Sequence, residues 1–294
     1  MRPQSTLKAR SHGLRFPTER PLVMGIVNIN DDSFSGDGTL DPVGALTIAE
    51  RMLNEGADII DIGAESARTN RKAISVEEEI RRLIPFLEAF PELAAGTAKA
   101  SSERSQLTPP LLSINTWRSE VIEAALPVGG DLINDISGLP DGRNAELCAH
   151  HGAALLIMHT VGLPKIPHLH QRWENVIDAM DGFFEEKIAL AVASGLSEEH
   201  LVIDPGIDFA KQKDDNLAIY RHMDRFHRFG RPILLPVSRK TVIGDVLGIS
   251  NPAERDAGTV ACVVRGARFG AQIIRVHHVA AAVQTLQMMS AVAS

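Results

Sequence analysis

The chain lacks three features that mark particular classes of protein. It has only two cysteines, Cys148 and Cys262, which lie in segments with helical periodicity and show no metal-ligand spacing. No apolar run approaches the roughly 18 residues that a membrane span needs. The basic start of the chain also lacks the apolar stretch of a secretory signal. We therefore expect a reduced, cytoplasmic protein whose cysteines fill the core.

A surplus of positive charge is also missing. The formal net charge is −7, whereas a nucleic-acid-binding protein usually carries a basic face. Nucleic acid is therefore not an expected partner, and neither is a membrane. Any anion that the protein binds must meet a local cluster of basic residues.

The chain does contain eight short apolar runs that alternate with longer amphipathic segments. With 294 residues and 44% hydrophobic content, it can bury a large core. The first amphipathic segment, residues 41–56, has Asp41 as a helix N-cap, Pro42 in the first turn and Gly56 at its end. The apolar runs are LVMGIV, ADIIDI, LLSI, DLIN, ALLIM, LVID, PILLP and QIIRV.

Continuous apolar strands separated by helices favour a parallel sheet that is covered by those helices. We predict an α/β protein with a single (β/α)8 TIM-barrel domain over residues 22–294, preceded by an N-terminal extension over residues 1–21. Residues 92–110 are rich in Ala, Ser and Thr and predict a flexible insertion between the second helix and the third barrel strand. The insertion would lie at the N-terminal face, as a surface loop rather than a lid.

Polar residues follow every predicted strand, where a barrel places its active site. Strand ends are exposed in any barrel, but the same bias in all eight loops favours a functional site. Its predicted cationic or protonatable side chains require a strongly anionic ligand. They are Arg68, Arg239, Lys240, Arg275 and His277.

Two further groups of residues suggest what else the ligand carries. Asn28 and the nearby carboxylates of NDDSF are hard oxygen donors, which together with a phosphate suit Mg²⁺. Asn134, Asp204 and Lys240 offer an amide, a carboxylate and an ammonium, which suit a flat heterocycle with amino and lactam edges.

From about Leu22 onward the chain resembles the dihydropteroate synthase family. The motifs that carry the resemblance appear in family order: MGIVN with DSFS, GADIIDIG with ES and R, INDISG, MH, DPGI with F and K, PILL with SRK, and RVH with V. The resemblance implies an enzyme of folate biosynthesis. It would condense 6-hydroxymethyl-7,8-dihydropterin pyrophosphate with p-aminobenzoate, giving 7,8-dihydropteroate and pyrophosphate.

The resemblance also implies roles for individual residues. Asp61, Asn134, Asp204 and Lys240 would hold the pterin, in a pocket lined by Met158 and Phe209. Asn28, Arg275 and His277 would hold the pyrophosphate and its magnesium ion, with Asn28 as the metal ligand. The mobile loops would contribute Asp32, Ser33, Phe34, Ser66, Ala67 and Arg68, and Ser238 and Arg239 would flank the p-aminobenzoate pocket.

In this family, carbon–oxygen cleavage gives a dihydropterin cation that the neutral aniline nitrogen then attacks. We assign catalytic roles to Lys240, Arg68, Asn115 and Asp32. Stabilising the departing pyrophosphate is the main electrostatic task. The resemblance further implies a homodimer.

Several positions depart from the family pattern. Asn115 stands where the family has an aspartate, which removes a negative charge beside the cation. The other departures are Asn30 and Asp31 for Thr-Pro, Ala67 and Thr69 for Thr and Pro, Asp208 and Ala210 for glycines, and His278 for an aspartate.

These departures keep two alternatives open. One is a pterin-binding paralogue with a different acceptor or little synthase activity, for which Asn115 and Ala67 are the discriminating features. The other is a corrinoid-dependent pterin methyltransferase, which would not need SRK and RVH to hold a pyrophosphate. The HLHQRW segment, residues 168–173, is assigned no role.

Overall fold

A short hairpin precedes the barrel and covers one end of it. The computed structural model describes residues 4–10, 12–30, 38–67, 69, 71–97, 105–168 and 170–293. In it, β1 (Ser5–Ala9) pairs antiparallel with β2 (His12–Phe16), a hairpin that the apolar pattern does not predict. Leu7, Ala9 and Phe16 are buried against the first residues of the barrel strands. The hairpin therefore closes the barrel at the amino ends of its strands.

The eight predicted apolar runs all form parallel strands, so the predicted (β/α)8 fold is confirmed. The strands are β3 (Leu22–Asn28), β4 (Ile59–Gly63), β5 (Leu111–Asn115), β6 (Leu132–Asp135), β7 (Ala154–Met158), β8 (Leu201–Asp204), β9 (Leu234–Pro236) and β10 (Ile273–Val276). Neighbouring strands follow the order β8, β7, β6, β5, β4, β3, β10, β9. A parallel bridge between Ile203 and Ile233 joins the two ends of this order.

The helices lie between the strands. The Asp41 side chain accepts hydrogen bonds from the N–H groups of Val43 and Gly44, which confirms it as the first N-cap. The helices are α1 (Pro42–Asn54), α2 (Val76–Thr97), α3 (Ser119–Ala125), α4 (Arg143–His151), α5 (Val176–Ala193), α6 (Lys213–His222), α7 (Thr241–Leu247), α8 (Asp256–Arg268) and α9 (Val279–Ala291). Among the described residues, no helix combines the length and the apolar character that crossing a bilayer requires.

Alternate strand residues separate into two cores because successive side chains point to opposite faces of a sheet. Val23 and Leu155 pack outward against the helices, whereas Leu22, Met24 and Leu156 point into the barrel. The inner core fills the amino half of the barrel, together with the hairpin. Polar side chains occupy its carboxyl half, where a cavity opens to solvent.

The expected start of the flexible insertion at residue 92 is too early. Helix α2 continues to Thr97, because Phe90, Ala94 and Thr97 lie on one helical face and are all buried. The Thr97 hydroxyl also donates back to the carbonyl of Leu93 at 3.0 Å. Residues 98–104 lie outside the described part of the chain, and Ser105 resumes at the N-terminal face as expected.

Both cysteines are internal, as the sequence suggests. Cys148 in α4 is buried and Cys262 in α8 is partly buried. Burial raises the pKa of both thiols above the ordinary value, because a thiolate loses hydration there. Neither thiol is therefore activated as a nucleophile.

A buried carboxylate, Asp58, ties together the segments that meet at the N-terminal face. Its oxygens accept hydrogen bonds from Arg20 Nη1 at 2.7 Å, the Val23 amide at 2.8 Å and the Gln106 amide at 2.6 Å. Asp58 is fully buried and Arg20 is 7% exposed. The pair therefore holds the entry to β3 and the segment that leads into β5 against the start of β4.

We predict that Arg20→Ala lowers the free energy of unfolding by about 3–5 kcal/mol, because it leaves a buried carboxylate without its cation. Urea denaturation followed by circular dichroism measures this loss. Lys8→Ala is the control, since it breaks only the exposed pair with Glu199 and should leave stability nearly unchanged. Equal small losses for both variants would contradict the assigned role of Asp58.

Candidate active site

A cavity of about 620 Å³ opens at the carboxyl ends of the barrel strands. This is where barrel enzymes place their chemistry. The predicted site residues on its wall are Asn28, Ser66, Ala67, Asn115, Asn134, Met158, Asp204, Phe209, Ser238, Lys240, Arg275 and His277. The predicted residues Asp32, Ser33, Phe34 and Arg68 lie outside the described residues, so their roles stay predictions.

Asp204, the last residue of β8, presents a nearly buried carboxylate to the cavity. Its Oδ1 accepts the Gly206 amide hydrogen at 2.7 Å. Burial raises the pKa of Asp204 to about 6, against the opposing effects of Gly206, Lys240, Lys211 and Arg275. At neutral pH the group is therefore mostly ionised, and the carboxylate can accept hydrogen bonds from two adjacent donors on a ligand.

Asp61 does not line the cavity, although it was predicted to contact the pterin. It is fully buried just below, in β4. Its carboxylate accepts hydrogen bonds from Arg275 Nε at 2.7 Å, Ser113 Oγ at 2.5 Å and Asn134 Nδ2 at 3.1 Å. Asp61 therefore positions two residues of the cavity wall, Asn134 and Arg275.

Lys240 lies beside Asp204, just before α7. Its Nζ donates to the Ile207 carbonyl at 2.9 Å and lies 5.1 Å from the centre of the Phe209 ring. Burial lowers the pKa of Lys240, and the carboxylates of Asp208 and Asp204 oppose that shift. The ammonium is thus held between an aromatic face and two acidic groups.

The loop after β8 is tied to the start of α7 by Asp208. Asp208 and Ala210 have φ values of 71° and 52°, at the two positions where the family pattern has glycines. The Asp208 carboxylate accepts hydrogen bonds from the amides of Thr241 and Val242, at 3.2 Å in the case of Val242. Asp208 therefore caps the first turn of α7. Its positive φ is a conformation that aspartate tolerates better than most residues.

The predicted pair Ser238 and Arg239 separates in the structure. Ser238 lines the cavity and lies 2.7 Å from His277 Nδ1, so it orients that imidazole. Arg239 is not part of the cavity wall, because its Nε and Nη2 are 2.8 and 3.0 Å from the two carboxylate oxygens of Asp256 in α8. His278 is exposed and lies 4.0 Å from the same carboxylate.

Several charged residues of the cavity wall were not predicted as site residues, among them Lys211, Lys165 and Glu65. Lys211 is nearly buried and donates to the carbonyls of His159, Gly206 and Phe209. Burial lowers its pKa to about 7. Lys165 and Glu65 form an ion pair of 2.6 Å on the same wall. Lys211 and Glu65 stand inside motifs that had been recognised, whereas the sequence carries no signal for Lys165.

Comparisons with known proteins agree with this geometry. The family model of pterin binding enzymes matches residues 24–277. The dihydropteroate synthase of Escherichia coli (strain K12) is 35% identical over 289 residues, which cover 98% of this chain and 97% of that protein. That of Bacillus subtilis (strain 168) is 36% identical over 275 residues, or 93% and 89% of the two chains.

Solved structures match over nearly the whole chain. Dihydropteroate synthase from Xanthomonas albilineans with 4-aminobenzoic acid has a TM-score of 0.84 and 34% identity, and the match covers 99% of both chains. The Yersinia pestis dihydropteroate synthase in a sulfonamide drug complex has a TM-score of 0.85 and 35% identity over 98% of each chain. The chain therefore belongs to the pterin binding enzyme family, and along its whole length it is similar to the dihydropteroate synthases.

Proposed function

We infer that the chain catalyses the dihydropteroate synthase reaction, in which p-aminobenzoate displaces pyrophosphate from 6-hydroxymethyl-7,8-dihydropterin pyrophosphate. The observation that carries this inference is the cavity itself, which is lined by the Asp204 carboxylate, the Asn134 amide and the Arg275 guanidinium. An acceptor for a heterocycle and a cation for an anionic leaving group are thus combined in one site. The family membership supports the same reaction.

The pterin half of the substrate would bind at Asp204 and Asn134. An ionised Asp204 accepts hydrogen bonds from the 2-amino group and the adjacent ring N–H, which sit side by side on a pterin. Asn134 is held by Asp61, so its carboxamide is already oriented before a ligand arrives. Met158 is almost fully buried and would pack against the flat ring.

The pyrophosphate would leave toward Arg275 and His277. Arg275 donates to Asp61 through Nε, and its terminal nitrogens have no acceptor among the described residues, so they are available to bind an anion. Both residues line the cavity, and Ser238 orients His277. Donors placed where negative charge develops lower the barrier most, because they need no rearrangement during the reaction.

We further propose that Mg²⁺ accompanies the pyrophosphate at Asn28. Mg²⁺ commonly keeps several waters and takes only one or two protein oxygens beside substrate phosphates, so the single carboxamide of Asn28 fits. Among the described residues, no group of three or more His, Cys, Asp or Glu side chains could hold a metal alone. When bound, the ion would neutralise part of the charge on the leaving group.

We further propose that the protein forms a homodimer and acts in the cytoplasm. Four large apolar side chains on or directly after the helices that flank α8 are at least half exposed, and exposed apolar patches can mark a protein–protein interface. They are Val246 and Leu247 in α7, Met288 in α9 and Val292 directly after α9. An interface over α7, α8 and α9 would cover them.

The reaction is tested by measuring pyrophosphate release from the pterin pyrophosphate with Mg²⁺, with and without p-aminobenzoate. We expect release that requires p-aminobenzoate and yields dihydropteroate. Asn134→Ala is a suitable inactive reference, since it removes a wall amide. Release that is independent of the amine, or pterin binding without release, would instead favour the paralogue.

We predict that pterin affinity falls as the pH drops below about 6, because a protonated Asp204 cannot accept both hydrogen bonds. One pH unit below that value the dissociation constant should be roughly tenfold higher. Calorimetric titration with 6-hydroxymethylpterin between pH 5 and 8 measures this, and Asp204→Asn should bind weakly without that dependence. Lys211, whose pKa is lowered to about 7, loses its proton at the upper end of this pH range, so its titration is separate from that of Asp204. A flat profile for the unmodified protein would remove Asp204 from the pterin site.

We predict that Asn115→Asp increases kcat. Asn115 lines the cavity, and an opposite charge a few ångströms from a cation is worth about 4 kcal/mol at an effective dielectric near 20. Recovering half of that amounts to a rate gain of roughly ten- to hundredfold. Gln284→Glu, the same amide-to-carboxylate change at an exposed position of α9 away from the cavity wall, controls for general charge effects. An unchanged or lower kcat for Asn115→Asp would mean that this position does not face the cation.

A further inference from the structure

Lys165 has an unusual conformation at the mouth of the cavity. It belongs to the fifth loop, the segment 159–175 that follows β7, and its φ is 65°. Its neighbours Leu163 and Ile166 are 59% and 51% exposed, whereas the Lys165 side chain is only 11% exposed. The most hydrophilic side chain of this stretch is thus turned inward and its apolar neighbours outward, which is the reverse of the usual preference. Strained backbone persists only where surrounding contacts enforce it.

Those contacts cross the cavity mouth to the second loop, the segment 64–75 that follows β4. Lys165 Nζ lies 2.6 Å from Glu65 Oε1 and 2.9 Å from the Ser66 carbonyl oxygen. The other oxygen of Glu65 accepts the Ile74 amide hydrogen at 2.7 Å. Lys165 therefore contacts the start of the second loop directly, at Ser66. It is connected to the end of that loop through Glu65, which binds the Ile74 amide.

The ion pair is part of a larger buried group whose charges cancel. Arg118 Nη2 lies 3.3 Å from Glu65, and its Nη1 lies 2.9 Å from Glu79. The side chains of Glu65 and Glu79 are 3% and 0% exposed. With Lys165, two carboxylates face two cations. Without Lys165 one negative charge is left over in a site that water barely reaches, so the second loop would have to move to hydrate Glu65.

We propose that Lys165 is a positioning residue for the acceptor amine, which fixes the part of the cavity wall that Glu65, Ser66 and Ala67 form. The proposal rests on the proposed function, since it assigns that wall to p-aminobenzoate. Among the described residues, Lys165 forms no hydrogen bond or ion pair with the residues assigned to the pterin, which are held separately by Asp61 and the β8 loop. Its removal should therefore affect one substrate and spare the other.

The test compares Lys165→Met with the unmodified enzyme. Methionine keeps most of the length and the apolar character of the stem but removes the charge. We expect the KM for p-aminobenzoate to rise about tenfold, with the dissociation constant of 6-hydroxymethylpterin unchanged within twofold. Lys165→Arg should recover part of the loss, because a guanidinium can still reach Glu65. Lys8→Met, which breaks the exposed pair with Glu199 at the other end of the barrel, is the matched control.

Two outcomes would overturn the proposal. One is a lower melting temperature for Lys165→Met with an unchanged KM, which would make the pair merely structural. The other is an equal loss of pterin and amine affinity. A Lys165→Met/Glu65→Gln double variant checks the route: if Lys165 acts through Glu65, its KM should rise no further than that of Lys165→Met.

A separate readout keeps this inference distinct from the proposed reaction. If the unmodified protein forms no dihydropteroate, the proposed function has failed, but the tether between the loops can still be measured. Hydrogen exchange at the Ile74 amide should then become at least tenfold faster in Lys165→Met and stay unchanged in Lys8→Met. Equal exchange in all three proteins would show that Lys165 does not hold the second loop.

Discussion

The site depends on one buried carboxylate, Asp61, whose charge must be compensated by contacts inside the barrel. Asp61 has no exposed surface, and an isolated charge there would cost far more than the fold can supply. The barrel satisfies it from three directions, with Ser113 on β5, Asn134 on β6 and Arg275 on β10. The bonds that make Asp61 tolerable are the same bonds that orient Asn134 and Arg275 toward the cavity. The same hydrogen bonds therefore stabilise the fold and preorganise the site.

The same constraint explains how an acidic chain can bind an anionic substrate. The net charge of −7 would repel a pyrophosphate at long range, so attraction must come from cations at short range. Arg275 and Lys240 suit this role because each is held in place by one hydrogen bond, to Asp61 and to the Ile207 carbonyl respectively. The remaining N–H donors of each side chain can then bind the substrate. A pterin pyrophosphate would thus meet donors that are already in place.

The sequence predicted the barrel well because its signals are local. The apolar runs that form the strands lie within single short segments. Asp41 directly precedes α1 and caps it by accepting the amide hydrogen of Val43, two residues away. The misses are non-local. The hairpin depends on burying Leu7 and Phe16 against residues of the barrel, and α2 extends because Ala94 packs into the core. Arg239 leaves the cavity for Asp256, and Lys165 meets Glu65 across 100 positions of sequence. No periodicity could place those charges together.

Two of the departures from the family pattern, Asp208 and His278, are compensated by neighbouring contacts. Asp208 stands where a glycine would relieve a positive φ, yet its carboxylate caps α7 beside Lys240, which offsets the strain. His278 stands where the family has an aspartate, and a carboxylate is nevertheless supplied at this place by Asp256, which binds Arg239 and lies 4.0 Å from His278. Asn115 lines the cavity and has no such compensation, since no acidic side chain is hydrogen-bonded to it among the described residues. The negative charge that is lost at this position is therefore not restored by a contact in the described part of the chain.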